Sequence, residues 1–204
     1  MKKGLVTTLT FACCLACSAI AGPVPSEGEV LAYQLGSMPV SDVDVQDCGN
    51  SPQARKLARL IMTDYGQQRT QLTCVPLLNA VALAKAQEMA RKGMVTHYAG
   101  NLGANARLRE AGYPLDPDYP SFYHNQVEAV AGGFATAEEA WRQFKDSPVH
   151  RTHLLAEHPF FAQQHEMGVA FIREWPSPHV EYWAVYIAKP FITETEPSDL
   201  SADD

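Results

Sequence analysis

Residues 147–155 read "SPVHRTHLL" and set His150 and His153 three apart behind Ser147-Pro148. On a helix that spacing turns about 300°, so the two rings lie close together yet point about 60° apart. Imidazole titrates near neutral pH and is the commonest metal ligand. The pair is open to three roles: binding a metal, moving a proton, or capping and packing a helix. Elsewhere, His97 stands in "THYAG" and Glu128 in "QVEAVA". Two neutral imidazoles and a carboxylate suit zinc or another borderline divalent cation. With an open coordination position, such a trio could polarise a water. The separations between His97, Glu128 and His150 are long and irregular, so spacing alone does not nominate them. His124, His158, His165 and His179 fall in loops or near termini and are expected to be solvated, and Glu166 is expected at a rim or surface. The chain carries no Gly-x-Ser-x-Gly and no His-Glu-x-x-His.

The elements that must position these residues are helices first and strands last. Ser51-Pro52 is an N-cap and first-turn proline, followed by Ala54, Leu57, Ala58, Leu60 and Ile61 at helical spacing. Pro76 opens a second helix, with Leu78, Val81, Ala82 and Met89 on one side and Gly93 as its stop. "ANARLREAGY" predicts a short helix ending at Gly112. Thr136 to Glu139 is a capping box before the apolar stripe Ala140, Trp141 and Phe144. Ser147 then caps the helix that carries His150 and His153, with Pro148 in its first turn. "MGVAFI" and "EYWAVYIAK" are aromatic and β-branched strands, separated by a turn with Pro176 and Pro178; residues 126–131 supply a third short strand. Helices around a small antiparallel sheet make an α+β layered domain. Trp141, Phe144, Tyr182, Trp183 and Tyr186 are expected in its core. Arg107 and Arg151 are expected at the surface or in ion pairs.

Length and composition fit one globular domain: 204 residues with 46% apolar side chains argue against wholesale disorder. Residues 1–21 predict a signal peptide: Lys2 and Lys3, an uncharged apolar run, then Ala19-Ile20-Ala21. The expected destination is export, periplasmic or secreted, with lipid anchoring through Cys17 as the lesser alternative. No later run is long and apolar enough to cross a membrane. Cleavage leaves Cys48 and Cys74, which an oxidising compartment would join in a disulfide. It also takes the formal net charge from −7 to −9, since the signal carries two lysines and no acid. Residues 25–47 hold five acids and no base, and residues 191–204 the same, whereas residues 48–190 hold 13 acids and 14 bases. The expected organisation is therefore an acidic flexible segment at 22–47, a folded domain at 48–190 and an acidic disordered tail at 191–204. Without a basic stripe, nucleic acid is not an expected partner.

The order of "THYAG", "NARLREAGY", "VEAVAGG", "EEAWRQFKDSPVHRTHLL", "MGVAF" and "YWAVYI" resembles a bacterial CAP domain. That superfamily holds the cysteine-rich secretory proteins, antigen 5 and pathogenesis-related 1 proteins, also called SCP-like. The resemblance spans about residues 55–190. It implies an α-β-α sandwich with a small, mainly antiparallel central sheet flanked by helices. It also implies a cleft in which His97, Glu128 and His150 match the family's positions, His97 and His150 being the candidate metal ligands. The family's second cleft acid is absent here or replaced by Asp146. Ala129 and His153 stand where asparagines are usual, and His153 is expected to turn aside and bond a neighbouring backbone group.

A fold of this kind does not fix an activity. The expected function is an exported ligand-binding or cell-envelope module for a lipid, a peptide or a cell-wall fragment. The alternative is a metal-assisted hydrolase, with His97 and His150 on zinc and Glu128 as general base. A surface interaction domain is a third reading. The lack of a nucleophile motif and of a second acid favours binding over catalysis.

Overall fold

The structure is a computed structural model that describes residues 45–98, 102–119 and 124–192. The expected signal peptide at 1–21, residues 22–44 of the expected acidic segment and residues 193–204 lie outside the described residues.

The elements in chain order are α1 (Pro52–Met62), β1 (Thr73–Cys74), α2 (Pro76–Lys92), α3 (Ala104–Glu110), β2 (Glu128–Gly132), α4 (Ala137–Asp146), α5 (Pro148–Leu154), α6 (Pro159–Ala162), β3 (Glu166–Arg173) and β4 (Glu181–Ala188). Local chemistry sets most of their ends. The Ser51 hydroxyl accepts from the Ala54 amide at 3.1 Å at the start of α1. Thr136 and Glu139 form both halves of the capping box of α4. Gly93 ends α2 at φ 65°, a left-handed conformation that glycine adopts without steric cost. Pro148 opens α5 as expected, but Ser147 occupies the cap position without a side-chain bond to the helix. Two elements were not anticipated. Strand β1 is two residues long, too short for periodicity to reveal. Helix α6 is a single turn capped by His158, whose ring accepts from the Phe160 amide.

The sheet order is β1-β3-β4-β2, with β1 parallel to β3 and the other pairs antiparallel. Side chains alternate between its two faces. Met167, Val169, Trp183, Val185, Ile187, Ala129 and Ala131 pack beneath α1 and α4, with Leu57, Ile61, Trp141 and Phe144. Ala170, Tyr182, Ala184, Tyr186 and Val130 pack beneath α2 and α3, with Leu78, Val81, Met89 and Leu108. Each large apolar side chain fully buried this way contributes about 1.5–3 kcal/mol. The architecture is thus the α-β-α sandwich with a small, mainly antiparallel central sheet expected from the sequence. Gly168 is what lets α2 lie so close: a Cβ there would come within 2.2 Å of the Leu78 carbonyl carbon.

Cys48 and Cys74 form a disulfide with their Cα atoms 5.1 Å apart, tying the chain before α1 to β1. The packed body also takes in Val45, buried against the α1 side, so it begins before the expected boundary at residue 48. Among the described residues, no helix is long and apolar enough to cross a membrane.

Candidate functional site

Strand β2 forms one edge of the sheet, and α5 packs beside it. The alternation that sends Ala129 and Ala131 toward α1 and α4 sends Glu128 to the opposite face. There it stands directly across from Tyr186 of β4. His97 comes from the loop after α2. These elements enclose a cavity of about 340 Å³ lined by His97, Asn125, Gln126, Glu128, His150 and His153, with Pro148, Val149, Thr152 and Phe161 around them. The structure therefore brings His97, Glu128 and His150 to one cavity.

Glu128 does not reach into that cavity as a free carboxylate. Its side chain is 0% exposed. Oε1 lies 2.7 Å from His97 Nδ1. Oε2 accepts from Arg107 Nη1 at 2.7 Å and from the Tyr186 hydroxyl. Arg107 also donates to the carbonyls of His97 and Leu102, both at 3.1 Å, and so fixes the loop that carries His97. Burial opposes the charge on Arg107, but Tyr186 and Glu128 beside it more than compensate and raise its pKa. Burial first, and the Glu128 charge second, push the Tyr186 phenol well above its ordinary value.

Asn125 completes the support of Glu128 and His97. Its Oδ1 accepts from the amides of Val127 and Glu128, so its Nδ2 is the outer donor, bonded to the Glu128 carbonyl at 2.8 Å. That Nδ2 also lies 3.0 Å from His97 Nδ1, but the Glu128 carboxylate, which only accepts, is nearer at 2.7 Å, so Nδ1 carries its proton toward Glu128. Nε2 is then the nitrogen of His97 left for a ligand. The His97 side chain is 32% exposed, against none for Glu128.

His150 is half-buried. Its ring stands edge-on to Phe144 at 5.3 Å, with its centroid 6.5 Å from that of His97. Burial, then the neighbouring His97, lower its pKa, so it is neutral at neutral pH. His150 also borders a second groove, lined by Val95, Val130, Ala131, Phe134, Phe144 and His179 among others.

His153 turns inward, away from His150. It is 6% exposed, packs on Phe161 at 5.0 Å, and lies against the Ile187 backbone and the Gln164 side chain. Burial, above all, lowers its pKa to about 3. The end of α5 is held by Arg69, which the sequence reading did not single out. Its guanidinium donates to the carbonyls of His153, Leu154 and Gln164 at 2.8, 2.9 and 2.6 Å. A buried cation on the last carbonyls of a helix also opposes the negative end of its dipole.

Two expectations need correction. Asp146 is exposed and borders a different depression, with Gly133, Phe134, Glu139 and Arg142, so it is no substitute for a second cleft acid. It lies about 200° round the helix from the buried Phe144. Nor do His97, Glu128 and His150 converge on one ion. Among the described residues no group of three or more His, Cys, Asp or Glu is placed to hold a metal. Zinc–nitrogen bonds of about 2.0–2.1 Å would set two coordinated ring centroids about 5 Å apart, nearer than the observed 6.5 Å. With Glu128 sealed behind His97, the donor set is two imidazoles, one short of a catalytic zinc site.

Several side chains fall where the sequence suggested. Arg151 forms an exposed ion pair with Glu157 at 2.9 Å. Glu166 is half-buried and accepts from the Tyr113 hydroxyl at 2.8 Å. A larger groove of about 780 Å³ lies between the end of α2 and the β3–β4 turn. Its Lys92 and Arg173 are already paired, with Glu88 and Glu181, and no imidazole reaches it. The cavity at His97 and His150 is therefore the better functional candidate.

The sequence matches no protein-family model and no curated protein. Among solved structures it is similar to an outer surface protein from Borrelia burgdorferi, with a TM-score of 0.51 and 14% identity over 73% of this chain and 97% of that one. It is also similar to an extracellular protein containing an SCP domain from Bacillus anthracis, with a TM-score of 0.48 and 17% identity over 69% of this chain and 44% of that one. At such identities the likeness concerns the fold alone: this chain has the sandwich fold of the Borrelia protein.

Proposed function

We propose that this chain is an exported binding module whose ligand occupies the cavity between β2 and α5, against His97 and His150. The observation that carries this reading is the state of Glu128. Both its oxygens are engaged, by His97, Arg107 and Tyr186, and its side chain is sealed from solvent. A general base must reach the proton it removes, and Glu128 is turned away from any ligand. The described lining residues offer Thr152 as a hydroxyl but no serine, cysteine or exposed acid. That set suits recognition better than bond cleavage. His150 lines this cavity and a second, largely apolar groove as well, which suits an extended ligand such as a lipid, a peptide or a cell-wall fragment. The charged, apolar and small-residue pattern of residues 1–21 and the Cys48–Cys74 disulfide support export.

A titration of isotope-labelled protein with muropeptides, short peptides and lysolipids tests it. The expected result is saturable shifts at His97, His150 and Asn125 that His150→Ala weakens at least about tenfold. Shifts confined to the groove at the end of α2, or unchanged affinity in His150→Ala, would place the ligand elsewhere.

A further inference from the structure

Strand β2 has β4 on one side and no strand on the other. Its bonds to β4 come from odd-numbered residues: the Val127 carbonyl accepts from the Ile187 amide, and the Gly133 amide donates to the Glu181 carbonyl. In an antiparallel ladder the residues between point their N–H and C=O the other way. Those of Glu128, Val130 and Gly132 therefore face the open edge. At Glu128 the Asn125 side chain stands in for a neighbouring strand. Its Oδ1 accepts from the amide and its Nδ2 donates to the carbonyl, both at 2.8 Å. At Val130 and Gly132 no described residue does the same. The groove beside His150 runs along this stretch. One wall includes Val95, from the α2 side, whose side chain lies 2.5 Å from where a Cβ on Gly132 would stand. Another includes Phe144, which packs with Ala131 on the α4 side. A groove walled from both faces of an edge strand opens on the backbone of that strand. Val130 and Ala131 are each 6% exposed, so this backbone is recessed. Sheet edges are commonly blunted by a charge, a proline or a bulge, and Val130-Ala131-Gly132 pairs in register with β4 and carries none of these.

Resting on the binding reading, we infer that the ligand is an extended peptide that adds to β2 as a fifth strand, pairing with the backbone of Val130 and Gly132. A donor and an acceptor on one residue, repeated two residues on at about 7 Å, is the complement of a peptide backbone. An acyl chain has neither group, and the hydroxyls of a glycan lack that paired repeat. Main-chain bonds supply affinity in such a complex, and pockets for alternate side chains supply the choice of sequence. Here Val95, Phe134 and Phe144 offer apolar surface, and no charged residue lines the groove, so a neutral segment with apolar side chains fits it. His150 lines both hollows, so a strand paired at Val130 continues past that ring into the cavity at His97. Asn125, by closing the edge at Glu128, marks where the pairing ends.

The test uses the whole isotope-labelled chain and four probes: the blocked peptide acetyl-Thr-Val-Thr-Val-amide, the same peptide N-methylated at every residue, a lysolipid and a muropeptide. Amide hydrogen exchange at Val130 and Gly132 is followed together with the His97 and His150 ring resonances. The unmethylated peptide is expected to slow exchange at both amides about tenfold or more, and its N-methylated form to bind at least about tenfold more weakly. Val130→Pro removes one outward N–H and no bond to β4, a change that an edge strand tolerates. It is expected to weaken the peptide about tenfold. Its amide spectrum reports whether it is folded, and the N-methylated peptide on wild type decides the matter if it is not. A peptide that shifts His97 or His150 while Val130 and Gly132 exchange as before binds without adding a strand, which overturns the inference and leaves the binding reading standing. An N-methylated peptide of equal affinity does the same, as does a lysolipid or muropeptide that moves those rings where the peptide does not. Protection of Val130 and Gly132 that grows with protein concentration alone assigns the edge to a second copy of the chain and also overturns it. If no probe moves His97, His150, Val130 or Gly132, the binding reading itself fails.

Discussion

Replacing Lys85 by methionine should make the protein more stable. The lysine is fully buried and its Nζ is unpaired. Burial lowers its pKa from 10.5 to about 8, against the opposing pull of Glu128. The folded value lies below the unfolded one, so between the two the unfolded chain binds more protons. Stability therefore rises with pH across that window, and below pH 8 the full penalty of the buried charge is present. A gap of this size corresponds to about 3 kcal/mol. Methionine keeps a flexible stem of similar length without the charge, so Lys85→Met should gain about 2–3 kcal/mol at pH 7. Urea unfolding of the non-reduced protein measures this at intervals from pH 7 to about 9.5. Above that, tyrosines ionise in the unfolded chain near pH 10. Tyr113, Tyr119 and Tyr186, held above their ordinary values chiefly by burial, then pull the slope the other way. Wild type should gain stability between pH 8 and 9.5, and the variant should not. A Lys85→Met protein less stable at pH 7, or one with the wild-type slope, would refute the reasoning.

Arg69→Met should cost about 3 kcal/mol in the same assay, because three buried carbonyls lose their donor at the end of α5. His153 has a folded pKa of about 3 against 6.5 unfolded, so the unfolded chain binds more protons between those values and stability falls as the pH drops below 6.5. His153→Asn should show a shallower acid slope than wild type between about pH 6.5 and 4, read by thermal unfolding. Reducing the Cys48–Cys74 disulfide should cost about 3 kcal/mol of loop-closure entropy, seen as a lower urea midpoint in the presence of reductant.

The elements of the sandwich were legible where capping chemistry or a long apolar period marked them. Ser51-Pro52, the Thr136 box and the stop at Gly93 each announce a helix end, and β3 and β4 announce themselves by aromatic and β-branched content. Strand β1 was invisible because its two residues gain their place from a parallel pairing with Glu166 and Met167 and from the disulfide at Cys74. The candidate site was legible only through the ordered resemblance, since His97, Glu128 and His150 meet by tertiary packing. What sequence reasoning missed is the support behind them. Arg107 was expected at the surface or in an ion pair, and a short helix gives no sign that its partner is the buried Glu128. Asn125 offered a faint signal, an asparagine shortly before the strand, of the kind that bonds the backbone two residues on. Lys85 could have been found: it falls on the apolar stripe of α2, where an ordinary lysine would not be placed. Asp146 was offered only as a replacement for the second cleft acid that the resemblance implies, and it ends α4 on the side away from Phe144, before Ser147 separates the two helices.

The central claim is that Glu128 holds His97 in place for a ligand and takes no proton from one. Nitrogen-detected imidazole spectra, recorded together with product analysis on one titrated sample, test it most directly. In wild type, His97 should carry its proton on Nδ1, and ligand should shift Nε2 without any product appearing. Glu128→Gln should disturb the His97 tautomer and weaken binding. Formation of a cleaved product that Glu128→Gln abolishes would contradict the account and make Glu128 a general base.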